Sequence, residues 1–263
     1  MKNSLTYFSI LFILSLVGYA CTVPSPSTEQ PTFTTISAKP SPSASIMTGS
    51  QTPFSIGQTP IPSTSIQMTP TPTQVPIYFT EEWDGDTYQW FGFSTTGDSN
   101  LWDVYNEAGV LVFSLTGKKI TNYFIYRPWG YDQVQVTTQI ENRTLTKSTT
   151  IIVCNYSDSL GWYEFDIDSD GLWQIRVHDT LGQTGYLSLM NGGSKAIHTG
   201  AAVNEYTITC IDNKLSLTIN GTKAAEYTDN ILKFTNGKIG LGAISYTELP
   251  ILLESAWIKI STP

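Results

Sequence analysis

Along residues 77–263 apolar and polar positions alternate with a period of two. That period puts successive side chains on opposite faces of a pleated strand. It predicts strands at 101–105, 110–115, 132–140, 151–156, 163–168, 173–177, 206–211, 215–219 and 251–260. Turn pairs separate them, among them Asp170-Gly171, Asn220-Gly221 and Asn236-Gly237. No apolar stripe of helical period runs beyond two turns. Many short strands with turns between them indicate an all-β fold, an antiparallel sandwich or barrel.

Two hairpins can be set in register. Asn220-Gly221 supplies the two left-handed positions of a tight turn, joining 215–219 to 222–226. A three-residue loop at Ser169-Asp170-Gly171, with Gly171 left-handed, sets Phe165 against Ile175, Tyr163 against Val177 and Glu164 against Arg176. Apolar partners then share one face and charged partners the other. A slip of one residue would break that agreement, which fixes the register.

The first 76 residues read differently. Lys2 precedes a largely apolar run, 5–20, which ends at Gly18-Tyr19-Ala20-Cys21. A positive start, an apolar middle and small residues at the end make a signal peptide, assigned here to 1–20. Ala20-Cys21 resembles the end of a bacterial lipoprotein signal, which implies lipidation of Cys21. Gly18-x-Ala20 also suits ordinary cleavage and secretion, and an uncleaved anchor is the third alternative. Residues 21–76 hold 11 of the 14 prolines and only two charged side chains, Glu29 and Lys39. Such a stretch has too little apolar surface to offset ordering entropy, so it reads as a disordered Ser/Thr/Pro-rich linker. The folded domain is 77–263, with 12 basic and 21 acidic residues and a net charge of −9. That charge argues against nucleic acid as a partner and leaves the lipid anchor as the contact with a membrane.

Several segments carry a resemblance: Ile151-Ile-Val-Cys-Asn-Tyr156, Gly161-Trp-Tyr-Glu-Phe-Asp-Ile167, Leu215-Ser-Leu-Thr-Ile-Asn-Gly221 and Gly237-Lys-Ile-Gly-Leu-Gly242. Together they resemble the concanavalin A-like lectin/glucanase superfamily, above all its laminin G-like and 3-keto-disaccharide hydrolase-type branches. The resemblance implies a two-sheet antiparallel jelly-roll sandwich, with sugar as the commonest ligand class. It also implies that the opening 79–83 pairs with the closing 254–260.

The candidate chemistry lies on one strand. Alternation puts Glu164, Asp166 and Asp168 on a single face, about 7 Å apart in steps of two. The run resembles the Glu-x-Asp-x-Glu of laminarinase-type retaining glycosidases, which implies Glu164 as nucleophile and Asp168 as acid/base. Against it, Asp168 is one methylene short and sits at the turn, while Arg176 opposite Glu164 makes a cross-strand ion pair. The bland alternative is a solvated charged face. Asp166-x-Asp168-x-Asp170-Gly171 also copies the start of a calcium loop, but its twelfth position is Val177 instead of Glu. No cofactor or metal is therefore expected, with calcium as the weak alternative. His178 and His198 lack neighbours spaced as metal ligands, and His178 pairs with Trp162 at the surface. Cys154 and Cys210 sit in apolar strands. In an exported chain they pair as a disulfide, or else stay as two buried thiols.

Aromatic residues outside the alternation are the ligand candidates. Trp129 and Tyr131 stand in a Pro/Gly-punctuated loop, and Trp162 would extend a stacking platform on the Glu164/Asp166 face. The alternative is rings that close the core. Trp173, Phe165, Tyr163 and Trp257 read as core. The expectation is an exported, lipid-tethered sandwich of the cell envelope that binds glycan or cell-surface polysaccharide without chemistry of its own. A glycoside hydrolase using the three carboxylates and an adhesion module for a protein partner are the alternatives.

Overall fold

The computed structural model describes residues 75–182 and 185–263. The signal peptide, Cys21 and nearly all of the linker lie outside the described residues. The described chain forms two antiparallel sheets. Sheet A runs in the order β13 (Thr222–Thr228), β12 (Lys214–Ile219), β11 (Val203–Ile211), β6 (Gln133–Asn142), β15 (Ile251–Ser261), β4 (Val110–Leu115) and β3 (Trp102–Glu107). The short β1 (Phe79–Glu81) joins the second half of β15, Phe79 against Ile260, so the first and last strands pair as expected. Sheet B runs in the order β10 (Gly185–Gly193), β9 (Leu172–Asp179), β8 (Gly161–Asp168), β7 (Ser148–Ser157), β14 (Lys238–Ser245), β5 (Thr121–Tyr126) and β2 (Trp90–Thr96). Among the described residues the one helical element is a three-residue 3-10 turn, Ser99–Leu101.

The β8–β9 hairpin has the register read from the sequence. Phe165 faces Ile175, Tyr163 faces Val177, Glu164 faces Arg176, and Gly171 takes a φ of 97°. Asn220 and Gly221 are both left-handed between β12 and β13. The main core lies between the sheets and is built from the inward positions, among them Phe113, Val136, Ile208, Leu217, Tyr163, Phe165, Ile175 and Leu241. In sheet A, β6, β11 and β12 keep a strict alternation of buried and open positions. Cys154 on β7 bonds to Cys210 on β11, so the disulfide staples sheet B to sheet A through the core.

Three expectations are corrected here. Trp257 is half-buried and outside the core, because a bulge between Ser255 and Trp257 shifts the phase of β15. Ser255 and Ile258 keep the inward positions on either side of it, and Trp257 stands opposite the outward Gln139. Trp129 and Tyr131 do not form an exposed platform. Trp129 packs on the core and donates from Nε1 to the Val75 carbonyl at 3.2 Å. Tyr131 is buried and donates to the Ile77 carbonyl at 2.8 Å. The two rings clamp the chain where it enters the sandwich.

The disulfide encloses a separation of 56 residues. In the chain-entropy model a loop of that length limits the unfolded ensemble by about 4 kcal/mol. Replacing both cysteines with alanine is expected to lower the urea-unfolding free energy by roughly that amount. A loss under about 1 kcal/mol would show that the bond adds nothing beyond the core.

Candidate functional site

Sheet B buries both of its faces at its central strands. Strands β7 and β8 are closed almost throughout, with no alternation. The inner face meets sheet A. On the outer face a second apolar cluster forms from Tyr123, Ile125, Ile151, Val153, Tyr156 and Trp162, with Phe91, Phe93 and Ile244 against it. Two glycines make this possible. Gly240 stands between Val153 and Ile125, and Gly242 between Ile151 and Tyr123. A Cβ on Gly240 would lie 2.4 Å from Ile125 Cδ1, so the neighbouring side chains can only lie down over bare backbone.

The outer face is also strongly curled. Thr95 on β2 and Tyr186 on β10 belong to opposite edges of the seven-stranded sheet, six strand spacings apart. On a flat sheet that is about 29 Å. Their hydroxyls nevertheless share a 2.9 Å hydrogen bond. Tyr186 also shares a 2.7 Å hydrogen bond with Tyr123, whose hydroxyl donates to Glu164 Oε2 at 2.9 Å. A phenol has one proton to give. Since Tyr123 gives its proton to the carboxylate, Tyr186 donates to Tyr123 and Thr95 donates to Tyr186. His178 stacks on Trp162 with ring centroids 4.0 Å apart and meets the edge of Tyr186. The His178–Trp162 pair expected at the surface is therefore largely enclosed, with Trp162 buried in the cluster. Burial lowers the affinity of His178 for a proton.

Under this closure lies the charged cluster. Glu164 is fully buried. Its Oε1 is 3.0 Å from Arg176 Nη2, and its Oε2 also receives Trp162 Nε1 at 3.4 Å. Asp166 is 6% exposed, with Oδ2 2.5 Å from Arg176 Nε. One guanidinium thus serves two buried carboxylates, and its face lies 4.7 Å from the Tyr186 ring centre. Burial raises the pKa of both acids. Arg176 opposes the rise at Glu164, while Glu164 itself adds to it at Asp166. Burial works against the charge on Arg176, yet the two carboxylates outweigh it and hold the guanidinium above its usual range. The solvated charged face is corrected accordingly: the curl of the sheet closes over Glu164 and leaves Asp166 nearly buried at the edge of the opening.

Asp168 sits further along, toward the open end. Its Oδ1 accepts from Thr149 Oγ1 at 2.5 Å and from Tyr246 at 3.4 Å, and its Oδ2 is 2.8 Å from Lys147 Nζ. Lys147 also pairs with Asp170 at 2.8 Å. The three aspartates of the calcium-like run thus face cationic side chains. No group of three metal-ligating residues converges among the described residues.

The closure leaves a groove of about 620 Å³ over the rest of the concave face. Asp166, Asp168, Gln174, Arg176, Asn191, Thr121 and Ile244 line it, contributed by β8, β9, β10, β5 and β14, together with Tyr246 just past the end of β14. Of the sequence candidates, Asp166 and Asp168 reach it. Glu164 and Trp162 lie beneath the closed end, and Trp129 and Tyr131 belong to the chain-entry clamp. Alternation did not single out Tyr123, Tyr186, Gln174, Asn191 or Tyr246. Gly240-x-Gly242 was the available signal, since two glycines two apart share a face and leave a trough.

No protein-family model matches the sequence, and no curated protein matches it. Solved structures do match in fold. A Bacillus licheniformis beta-glucanase superposes with a TM-score of 0.51 at 16% identity, over 72% of this chain and 100% of that one. A glycoside hydrolase family 16 endo-glucanase from Bacteroides ovatus gives 0.54 at 9% identity, over 70% and 99%. A Bacillus subtilis protein of unknown function with a galectin-like fold gives 0.54 at 10% identity, over 70% and 94%. The chain therefore has the concanavalin A-like jelly-roll fold, as its sequence resemblance implies.

Burial of Asp166 beside Glu164 sets a pH dependence, which Arg176 only partly offsets. A carboxyl whose folded pKa is raised binds more protons in the native state than in the unfolded chain. Its effect on stability is most favourable below the ordinary value, 3.8 for Asp166, and worsens as pH rises toward the raised one. Asp166→Asn removes that cost. The melting temperature of the variant relative to the parent is expected to climb steadily from about pH 4 to pH 8. A constant difference across that range would mean that Asp166 titrates as an ordinary exposed acid.

Proposed function

We propose that this protein is a lipid-tethered, extracytoplasmic binding module that recognises glycans in the concave groove of sheet B and performs no chemistry on them. The observation that carries the reading is the contrast along β8. Glu164, the residue a retaining hydrolase would need exposed, is fully buried, paired with Arg176 and roofed by Tyr123, Tyr186 and Thr95. Asp166 and Asp168 instead line an open groove with two amides and a tyrosine ring. Retaining hydrolysis requires a nucleophile and an acid about 5–5.5 Å apart at the sugar. A carboxylate sealed under a hydrogen-bonded roof cannot reach an anomeric carbon. Polar side chains along a groove, with the Tyr246 ring for stacking, suit sugar hydroxyls. The fold is shared with proteins described as glucanases and as galectin-like, which favours a saccharide over a protein partner. Export and anchoring follow from the leader and Cys21. An acylated cysteine on a Pro-rich spacer would hold the domain off the membrane at about 3.1 Å per residue where extended.

The second reading, a glycoside hydrolase, keeps one specific support: three carboxylates at alternate positions of the strand that floors the groove. A glycan array combined with a hydrolase screen on the purified chain separates the two. Tyr246→Ala is expected to weaken retention of the bound glycan by roughly ten-fold. Trp129→Ala is expected to lower the melting temperature and leave affinity unchanged. Glu164→Gln is expected to leave retention intact. Release of reducing ends by the parent, abolished in Glu164→Gln, would establish the hydrolase instead.

A further inference from the structure

A continuous file of rings blocks the concave face of sheet B at one end. Phe93 on β2 stacks with Tyr123 on β5, ring centroids 5.0 Å apart, and Tyr123 meets Trp162 on β8 at 5.4 Å. Trp162 stacks with His178 on β9 at 4.0 Å, and His178 meets Tyr186 on β10 at 4.5 Å. Rings at such separations are in van der Waals contact and leave no passage between them. The file starts on one edge strand of the sheet and finishes on the other, and the Thr95–Tyr186 hydrogen bond ties those edges together.

The groove lies on the other side of this file. Its depth can be read along β9, whose open positions are Leu172, Gln174, Arg176 and His178. His178 belongs to the file. Arg176 comes next, with its guanidinium 4.7 Å from the Tyr186 ring centre. Gln174 follows, and Leu172, 52% exposed, stands at the mouth. Four residues of strand separate the mouth from the closed end, about 14 Å. Because the edges of sheet B are drawn together, β10 on one side and β5 with β2 on the other become walls, and the trough runs along the strands. A polymer laid along this trough meets the rings, and one laid across it meets the walls.

We infer that the groove is a blind slot that takes the end of a glycan chain and not its interior. The inference rests on the groove being the glycan site. A chain terminus enters past Leu172 and stops against Arg176 and the Tyr186 ring. The terminal unit comes to rest beside the guanidinium, whose side chain is still 18% exposed, and Gln174 and Asn191, paired across β9 and β10, flank the units behind it. A volume of about 620 Å³ suits a short terminal stretch, since pockets for single small ligands span about 300–1,000 Å³.

The test is the stoichiometry of binding, measured by calorimetry on the full-length chain in detergent. The probes are three linear polymers, mixed-linkage β-glucan, mannan and chitosan, each intact and after partial acid hydrolysis. For a polymer that binds, one protein molecule is expected per polysaccharide chain whatever its length. Hydrolysis to about a tenth of the length is then expected to raise the protein bound per gram about ten-fold. Gln174→Trp, which plugs the slot between mouth and closed end, is expected to weaken binding of the fragments by at least about ten-fold, with the circular dichroism spectrum unchanged. Several protein molecules on each intact chain, or equal capacity per gram before and after hydrolysis, would overturn the inference and leave the glycan reading in place. Undiminished binding by Gln174→Trp would put the glycan outside the groove and overturn both. Binding of none of the polymers or fragments by the parent would overturn the glycan reading, and the inference with it.

Discussion

The site depends on one hydrogen-bonded span. Tyr186 reaches from one edge of sheet B to Thr95 on the other edge and to Tyr123 on β5. Those contacts require a sheet bent until its edges approach, and they divide the concave face in two. On one side the rings of Phe93, Tyr123, Tyr156 and Trp162 exclude water. On the other side a groove stays open. The carboxylates of β8 fall along that divide in chain order: Glu164 fully enclosed, Asp166 at the wall, Asp168 toward solvent. Their chemical differences follow from their positions relative to the span more than from their identities.

Burial on both faces has an electrostatic consequence. A carboxylate in an apolar layer must be neutralised or matched, and a matched pair seldom stabilises more than an apolar replacement would. Arg176 therefore serves less as a source of stability than as a positioning device. Its planar fork meets Glu164 through Nη2 and Asp166 through Nε, and the Tyr186 ring lies against its face. That arrangement holds Tyr186 in place for the span and turns one oxygen of Asp166 away from the cation. The same residue thus supports the roof and holds the Asp166 carboxylate through one oxygen.

The two sheets were unequally legible in the sequence. Sheet A alternates because one face meets the core and the other meets water, so β6, β11, β12 and β15 could be read by period two. Sheet B hides this signal wherever its outer face is also covered. β5 and β14 are each buried at five consecutive positions, and neither was read from alternation. β2 and β10 were missed as well, both edge strands of the same sheet. The β8–β9 hairpin was legible because its turn and its charge pairing are local. Whether Glu164 was exposed was not, because its roof comes from Tyr123, 41 positions earlier, and through it from Tyr186 and Thr95, 91 positions apart. The bulge that turns Trp257 outward is likewise invisible to a strict period of two.

The same considerations bear on how one fold accommodates both hydrolysis and binding. A strand carrying acids at alternate positions can serve either role on a concave sheet, and the side chains above the strand decide between them. Hydrolysis requires the first acid to be reachable and its partner to hold a proton at the sugar. Here Glu164 is fully buried, accepts from Tyr123 and Trp162 and is ion-paired with Arg176, while Asp168 is engaged by Thr149 and Lys147. The disulfide ties β7, the neighbour of β8, to sheet A. On the proposed reading, a ligand in the groove meets Asp166, Gln174 and Asn191, polar side chains suited to sugar hydroxyls.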